Sequence, residues 1–207
     1  MTPHSGTPSA AHLAELIASG PEVHERRIWQ PMEGDRPASV LIPLLADEED
    51  LRVLLTRRSL LLNKHAGEFS FPGGRPEPQD DGPLATALRE AEEEVGISSD
   101  LVEIIGTLPP TTTYKTGYAI TPYVGLVHAP PRWVAQVSEV AEFAEPRLVD
   151  LVAVRRIHTF QRPDGDALDM PYFPLDEERQ VWGATARILD ELLLRLAPVI
   201  PGSTSVV

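Results

Sequence analysis

The segment that most narrows what this chain can become lies between Gly67 and Ile97: GEFSFPGGR, a short polar stretch, then PLATALREAEEEVGI. Phe69 and Phe71 alternate with Glu68 and Ser70, the pattern of a half-buried strand. Pro72 ends its pairing, and Gly73-Gly74 permits backbone angles and a closeness of approach that side chains would block. The periodicity then predicts a helix from Pro83 to Val95, stopped by Gly96. At about 100° per residue, Glu90, Glu93 and Glu94 share one face of it. Leu84, Leu88, Ala91 and Val95 gather on another, while Glu92 points elsewhere into solvent. Carboxylates this close repel one another unless a cation or solvent screens them. Hard divalent cations such as Mg²⁺ bind oxygen ligands of this kind, to which a glycine carbonyl of the corner could add. A solvated acidic face satisfies the same spacing, so the helix alone leaves both readings open.

The whole chain sets the bounds. Its 207 residues suit one domain with extensions. A net charge of −13 argues against nonspecific nucleic-acid binding, and an acidic protein that handles phosphorylated substrates needs local cations. The absence of cysteine excludes disulfides, zinc-thiolate sites and cysteine nucleophiles. No apolar run reaches the roughly 18 residues of a membrane span, and the N-terminus lacks a secretory pattern; a cytoplasmic location without membrane association is the expectation.

Residues 1–30 read as an N-terminal extension, frayed over 1–10, with a short amphipathic helix in SAAHLAELIASG whose Leu13, Leu16 and Ile17 suit core packing. Residues 31–200 form the main domain and 201–207 a loose tail. ASVLIPLL and LRVLLTRR are strands joined by an acidic turn; LVEIIGTLPP and AITPYVGLVHA add further strands. VSEVAEFAEPRLVDL reads as a strand then a short helix, and RRIHTFQRPDGDALDMPYFPL as a hairpin turning at Pro163-Asp164-Gly165. RQVWGATARILDELLLRLA closes as an amphipathic helix, with Trp182 expected in the core. Hairpins and crossovers together predict an α/β (α+β) fold, a mixed sheet sandwiched between helices.

GGRPEPQDDGPLATALREAEEEVGI resembles the Nudix box, Gly-x5-Glu-x7-Arg-Glu-apolar-x-Glu-Glu-x-Gly-apolar. The second half matches through Arg89, Glu90, Ala91, Glu93, Glu94, Gly96 and Ile97. In the first half Asp81 occupies the usual Glu position with one extra residue between it and Gly74, so either Asp80 or Asp81 takes that role. LLTRRSLLLNKHAGEFSFPGG is similar to the added signature of Nudix coenzyme A pyrophosphatases, through Arg58, Ser59, Gly67 and Phe71 to Gly74. Asn63 stands where that signature has Arg, and Phe69 replaces its Val. Neutral Asn cannot grip a phosphate through a bidentate fork, and Lys64 is the available substitute. The likeness extends over residues 38–195.

The resemblance implies a Nudix fold with its strand-loop-helix, and Mg²⁺- or Mn²⁺-dependent hydrolysis of a nucleoside diphosphate linked to another group. For coenzyme A the products would be 3′,5′-ADP and 4′-phosphopantetheine. ADP-ribose, NADH and nucleoside triphosphates are the alternative substrates, and a non-catalytic nucleotide sensor is the alternative class. Glu90, Glu93 and Glu94, with the Gly74 carbonyl, are the candidate metal ligands. Glu93 is the first candidate for general base and Glu90 its rival; Glu139 and Glu142 are candidates for a loop base or an extra metal contact. Arg89 orients a box glutamate by salt bridge. Arg58, Lys64, Gly73 and Lys115 are the candidate substrate contacts, and His65 is as readily a structural loop residue. A homodimer is compatible with the sequence.

Overall fold

A computed structural model describes residues 7–20, 32–47, 50–60, 66–113, 116–128, 132–161 and 167–203. In chain order these form α1 (Ala10–Ser19), β1 (Arg36–Ala46), β2 (Leu51–Val53), β3 (Leu55–Arg58), β4 (Phe69–Ser70), β5 (Gly73–Gly74) and α2 (Pro83–Val95). There follow β6 (Val102–Thr107), β7 (Thr111–Thr112), β8 (Tyr118–Val127), β9 (Val140–Ala144) and α3 (Leu148–Val154). The chain closes with β10 (Arg156–Gln161), β11 (Ala167–Pro174), β12 (Gln180–Val181) and α4 (Gly183–Leu196).

The main sheet runs β2-β1-β8-β6, with β5 added to β1 and β7 to β8. β1 and β8 pair in parallel from Arg36↔Tyr118 to Leu44↔Leu126, and every other pairing in this sheet is antiparallel. A parallel pair needs a long crossover, and the one between β1 and β8 contains α2. Two small sheets, β4-β3-β9 and β10-β11-β12, flank the main one.

The apolar run of β1 is continuous because both of its faces are covered. Leu41 and Leu45 pack with Ala87, Ala91, Val95 and Ile97 under α2, whereas Ile42 and Leu44 pack on the opposite side with residues of α1 and α4. Period-two alternation thus divides one strand between two cores. Among the described residues no helix is long and apolar enough to cross a membrane.

The first and last described residues are packed more tightly than the sequence suggests. Ser9 caps α1 by accepting from His12 N–H, and Thr7 donates to the Asp47 carbonyl. Leu13 and Ile17 are fully buried, each contributing about 1.5–3 kcal/mol of apolar burial. Past α4, Ile200 and Ser203 are buried and Ser203 Oγ donates to the Ala197 carbonyl at 2.5 Å, so the expected loose tail is packed through Ser203. Trp182 departs from its expected core position: it is 50% exposed, because Val181 takes the inward position of β12 and its neighbour turns out. The turn at 163–165 lies outside the described residues.

Candidate active site

α2 occupies the interval its sequence predicts. Pro83 is tolerated at the first helical position, where no amide partner is lost, and Gly96 closes the helix at φ 73°, donating back to the Glu92 carbonyl at 3.0 Å. The buried stripe of α2, however, runs through Ala87, Ala91 and Val95, and Glu94 stands three residues beyond Ala91 and one before Val95. It therefore lies over the edge of the core, 4% exposed, rather than on a solvated carboxylate face. Glu93 is exposed, and Glu90 lies between these extremes.

The glycine corner meets these carboxylates directly. β5 pairs with β1 through Ser39↔Gly74 and Val40↔Gly73. Gly73 N–H donates to Glu94 Oε2 at 3.3 Å. A Cβ on Gly74 would fall 2.2 Å from Glu90 Oε1, so only glycine leaves room for that carboxylate. Burial pushes the Glu94 carboxyl up to about 8, a rise reinforced by the charges of Glu90 and Glu139 and opposed by the Gly73 amide and by Arg58. Glu90 is raised for the same first reason, against the nearby Arg89.

Arg89 is the hub of the exposed side. Its Nε and Nη2 grip Asp80 at 2.9 and 3.1 Å, Nη1 reaches Glu93 at 3.1 Å, and Nη2 also reaches Glu90 Oε1 and the Arg75 carbonyl. This fork holds the Asp80 carboxyl well below the usual range. Thr86 Oγ1 and the Glu77 amide add further donors to Asp80. Asp80, not Asp81, is thus the acid that Arg89 binds, and Asp81 is exposed. Counting five residues forward from Gly74 leads to 80, and counting seven back from Arg89 leads to 81, so only the contact decides. Thr86, completely buried against Asp80, was not anticipated, because an isolated threonine in a helix carries no local signal.

Glu139 arrives from outside the box. The segment before β9 straps across the C-terminal end of α2: Val134 and Gln136 amides donate to the Val95 and Glu94 carbonyls at 3.1 Å. The Gln136 carbonyl accepts from Glu139 and Val140, while Ser59 N–H donates to the Glu139 carbonyl at 2.7 Å. The Glu139 charge acts on both Glu90 and Glu94. Glu142 lies elsewhere, bridged to Arg57 at 3.2 Å and to Arg179. Arg57 also donates to the Gly67 carbonyl, whereas Arg58 directs its charge toward Glu94. Lys64, Lys115, Asn63 and His65 lie outside the described residues.

This donor set, all oxygen and mutually repulsive, suits a hard divalent cation. As the side chains stand, no group of three or more His, Asp or Glu among the described residues is arranged to hold one, because Arg89 draws Glu90 and Glu93 to itself.

Residues 35–179 match the family model described as NUDIX domain. The chain is 37% identical over 168 residues to a protein of Pectobacterium atrosepticum called uncharacterized Nudix hydrolase NudL, covering 81% of this chain and 86% of that one. A protein of the same name from Escherichia coli is 40% identical over 164 residues, covering 78% and 83%. A solved structure of a MutT/nudix family protein from Enterococcus faecalis superposes with a TM-score of 0.54 at 15% identity, over 84% of this chain and 68% of that one, a likeness of fold.

Proposed function

The chain belongs to the Nudix family of hydrolases, and from that premise we propose that it cleaves the diphosphate bond of coenzyme A or its derivatives, with Mg²⁺ or Mn²⁺, to 3′,5′-ADP and 4′-phosphopantetheine. The observation that carries this reading is that Glu90 and Glu94 meet the Gly73–Gly74 corner, Glu90 where a Gly74 Cβ would stand and Glu94 at the Gly73 N–H, with the charges of Glu139 and Arg58 acting on Glu94. Arg58, Ser59, Gly67 and the Phe71–Gly74 run are residues of the coenzyme A signature; Ser59 N–H binds the Glu139 carbonyl, Gly73 N–H binds Glu94, and Gly67 N–H binds the Arg58 carbonyl.

Glu90, Glu93 and Glu94, with the Gly74 carbonyl, are the residues that would hold the cation. When bound, it would neutralise diphosphate oxygens and acidify a water. The chain's own groups do the rest. Arg58 holds a phosphate oxygen by charge-assisted hydrogen bonds. Arg89, itself fixed by Asp80, sets the rotamers of Glu90 and Glu93. Glu139 takes the proton from the attacking water. Unlike Glu93, which is bridged to Arg89, and Glu142, which is bridged to two arginines, it forms no ion pair among the described residues. A base so placed contributes about 10²–10⁴-fold.

The test is incubation with Mg²⁺ or Mn²⁺ and a panel of coenzyme A, acetyl-coenzyme A, ADP-ribose, NADH, diadenosine polyphosphates and deoxynucleoside triphosphates, with products identified by mass spectrometry. Formation of 3′,5′-ADP and 4′-phosphopantetheine as the preferred reaction is the expected result. Preferred cleavage of ADP-ribose or NADH would overturn the substrate assignment, and binding without turnover of any compound would make the protein a sensor.

A further inference from the structure

Ser39 is a buried polar residue whose hydroxyl the fold leaves unused. It sits in β1 at 3% exposure, and its Oγ has no hydrogen-bond partner among the described residues, yet it is not sealed from solvent. Thr56, Thr86 and Ser203 are also buried, and each donates: to the Ser70 carbonyl, to Asp80 and to the Ala197 carbonyl. The Thr111 hydroxyl lacks a partner among the described residues too. It pairs with Ile120 of β8, however, on the face opposite Thr121, the β8 partner of Ser39. A hydroxyl taken out of water without a partner loses hydration that nothing returns, unless a ligand supplies the bond.

Strand alternation fixes where that bond can be made. Leu41 and Leu45 of β1 pack under α2, so Ser39, of the same parity, points to the α2 face. Its antiparallel partner is Gly74, and the Cβ that Gly74 lacks would stand on this face too, 2.2 Å from Glu90 Oε1. Directly opposed residues hold their Cβ positions about 4.5–5.5 Å apart. Ser39 therefore stands one residue across from the Glu90 carboxylate, on the sheet floor of the site. Arg89, which reaches Glu90, commits its donors to Asp80, Glu90, Glu93 and the Arg75 carbonyl. The Ser39 O–H is an uncommitted donor beside these acids.

We propose that Ser39 touches the substrate, its Oγ–H donating to a non-bridging oxygen of the diphosphate seated between Glu90 and the Gly73–Gly74 corner. The proposal rests on the hydrolase reading above and adds a residue that lies outside both the box and the signature of residues 54–74. The choice of serine has a physical reason. A lysine or arginine this close to Glu90 would be captured by the carboxylate, as Arg89 is. A neutral hydroxyl makes no such ion pair and stays available to an anionic oxygen.

The experiment titrates the full chain by calorimetry with Mn²⁺ alone and then, with Mn²⁺ present, with α,β-methylene-ADP, an uncleavable diphosphate. The proteins are the wild type, Ser39→Ala and Thr121→Val; their melting points are measured, and each is assayed on the panel compound that the wild type cleaves best. A hydrogen bond to a charged oxygen predicts that Ser39→Ala weakens the analogue and lowers kcat/KM by about 10- to 150-fold. Its Mn²⁺ affinity should match the wild type, and its melting point should match or exceed it. Thr121→Val, one strand further from Glu90, should change each value far less. Unchanged analogue affinity in Ser39→Ala would overturn the proposal. So would an equal loss of Mn²⁺ affinity, which would put Ser39 on a water of the cation, or a lowered melting point, which would give it a structural role. A loss in Thr121→Val as large as in Ser39→Ala would overturn it too. Because every compound of the panel carries a diphosphate, the test holds whichever of them proves to be the substrate. Failure of the wild type to bind Mn²⁺ or the analogue would overturn the hydrolase reading as well.

Discussion

Replacing Glu94 with Gln should make the metal-free protein more stable while abolishing its hydrolase activity. Glu94 is the one carboxylate of α2 nearly removed from water, and its carboxyl rises from an ordinary 4.5 to about 8 in the folded chain. A carboxyl that holds its proton more tightly when folded destabilises the fold as pH rises through the unfolded value, because ionisation then favours the unfolded chain. The loss begins near pH 4.5, grows to about pH 8, and is constant above it. Fully developed it is about 5 kcal/mol, and at pH 7 about 3 kcal/mol. Glutamine has nearly the same shape, no charge, and an amide oxygen that can still accept from Gly73 N–H. In chelator at pH 7, Glu94→Gln should therefore raise the melting temperature by about 6–12 °C, at 2–4 °C per kcal/mol for a chain of this length. At pH 4 the two proteins should melt together, since the wild-type carboxyl is then protonated in both states. Added Mn²⁺ should raise the wild type and leave the variant nearly unmoved. Calorimetry across pH with and without chelator checks this. A Glu94→Gln melting point at or below wild type at pH 7, or an equal difference at pH 4, would refute the reasoning.

Gly74→Ala and Gly73→Ala should separate site from fold. The added methyl at 74 meets the mobile end of Glu90, so the melting point should change little while kcat drops about 100-fold; at 73 it meets the Ser39 carbonyl at 2.3 Å with φ 156°, and thermal melts should show a loss of more than about 3 kcal/mol. Asp80→Ala should free Arg89 and lower activity by about 10- to 100-fold, whereas Asp81→Ala should leave kcat/KM unchanged; equal effects would mean that Arg89 does not depend on Asp80. Glu139→Gln should lower kcat by about 10²–10⁴-fold with little change in KM. Glu142→Gln, which only unpairs Arg57 and Arg179, should lower it far less, and the reverse order in steady-state kinetics would move the base to Glu142.

What was legible in the sequence is what neighbours along the chain determine. Pro83 and Gly96 bracket α2 through their own backbone preferences, the 3.6-residue period separates Ala91 and Val95 from Glu90 and Glu93, and the two glycines announce a corner no other residue could make. Those local constraints, with the box spacing, sufficed to identify the Nudix strand-loop-helix. Which carboxylate is buried was not among them: Glu94 looks equivalent to Glu90 on a helical wheel, and only the packing of α2 on β1 places it over the core edge. Asp80 and Asp81 are adjacent and chemically identical, and a guanidinium nine residues away distinguishes them. Glu139 and Trp182 depend on still longer connections, the first on a strap hydrogen-bonded to the end of α2, the second on β12 turning Val181 inward. Short-range sterics and periodicity write the elements into the chain. Burial, desolvation and the meeting of distant charges exist only once those elements have packed, and in this protein they decide which acids are partnered and which are free to act.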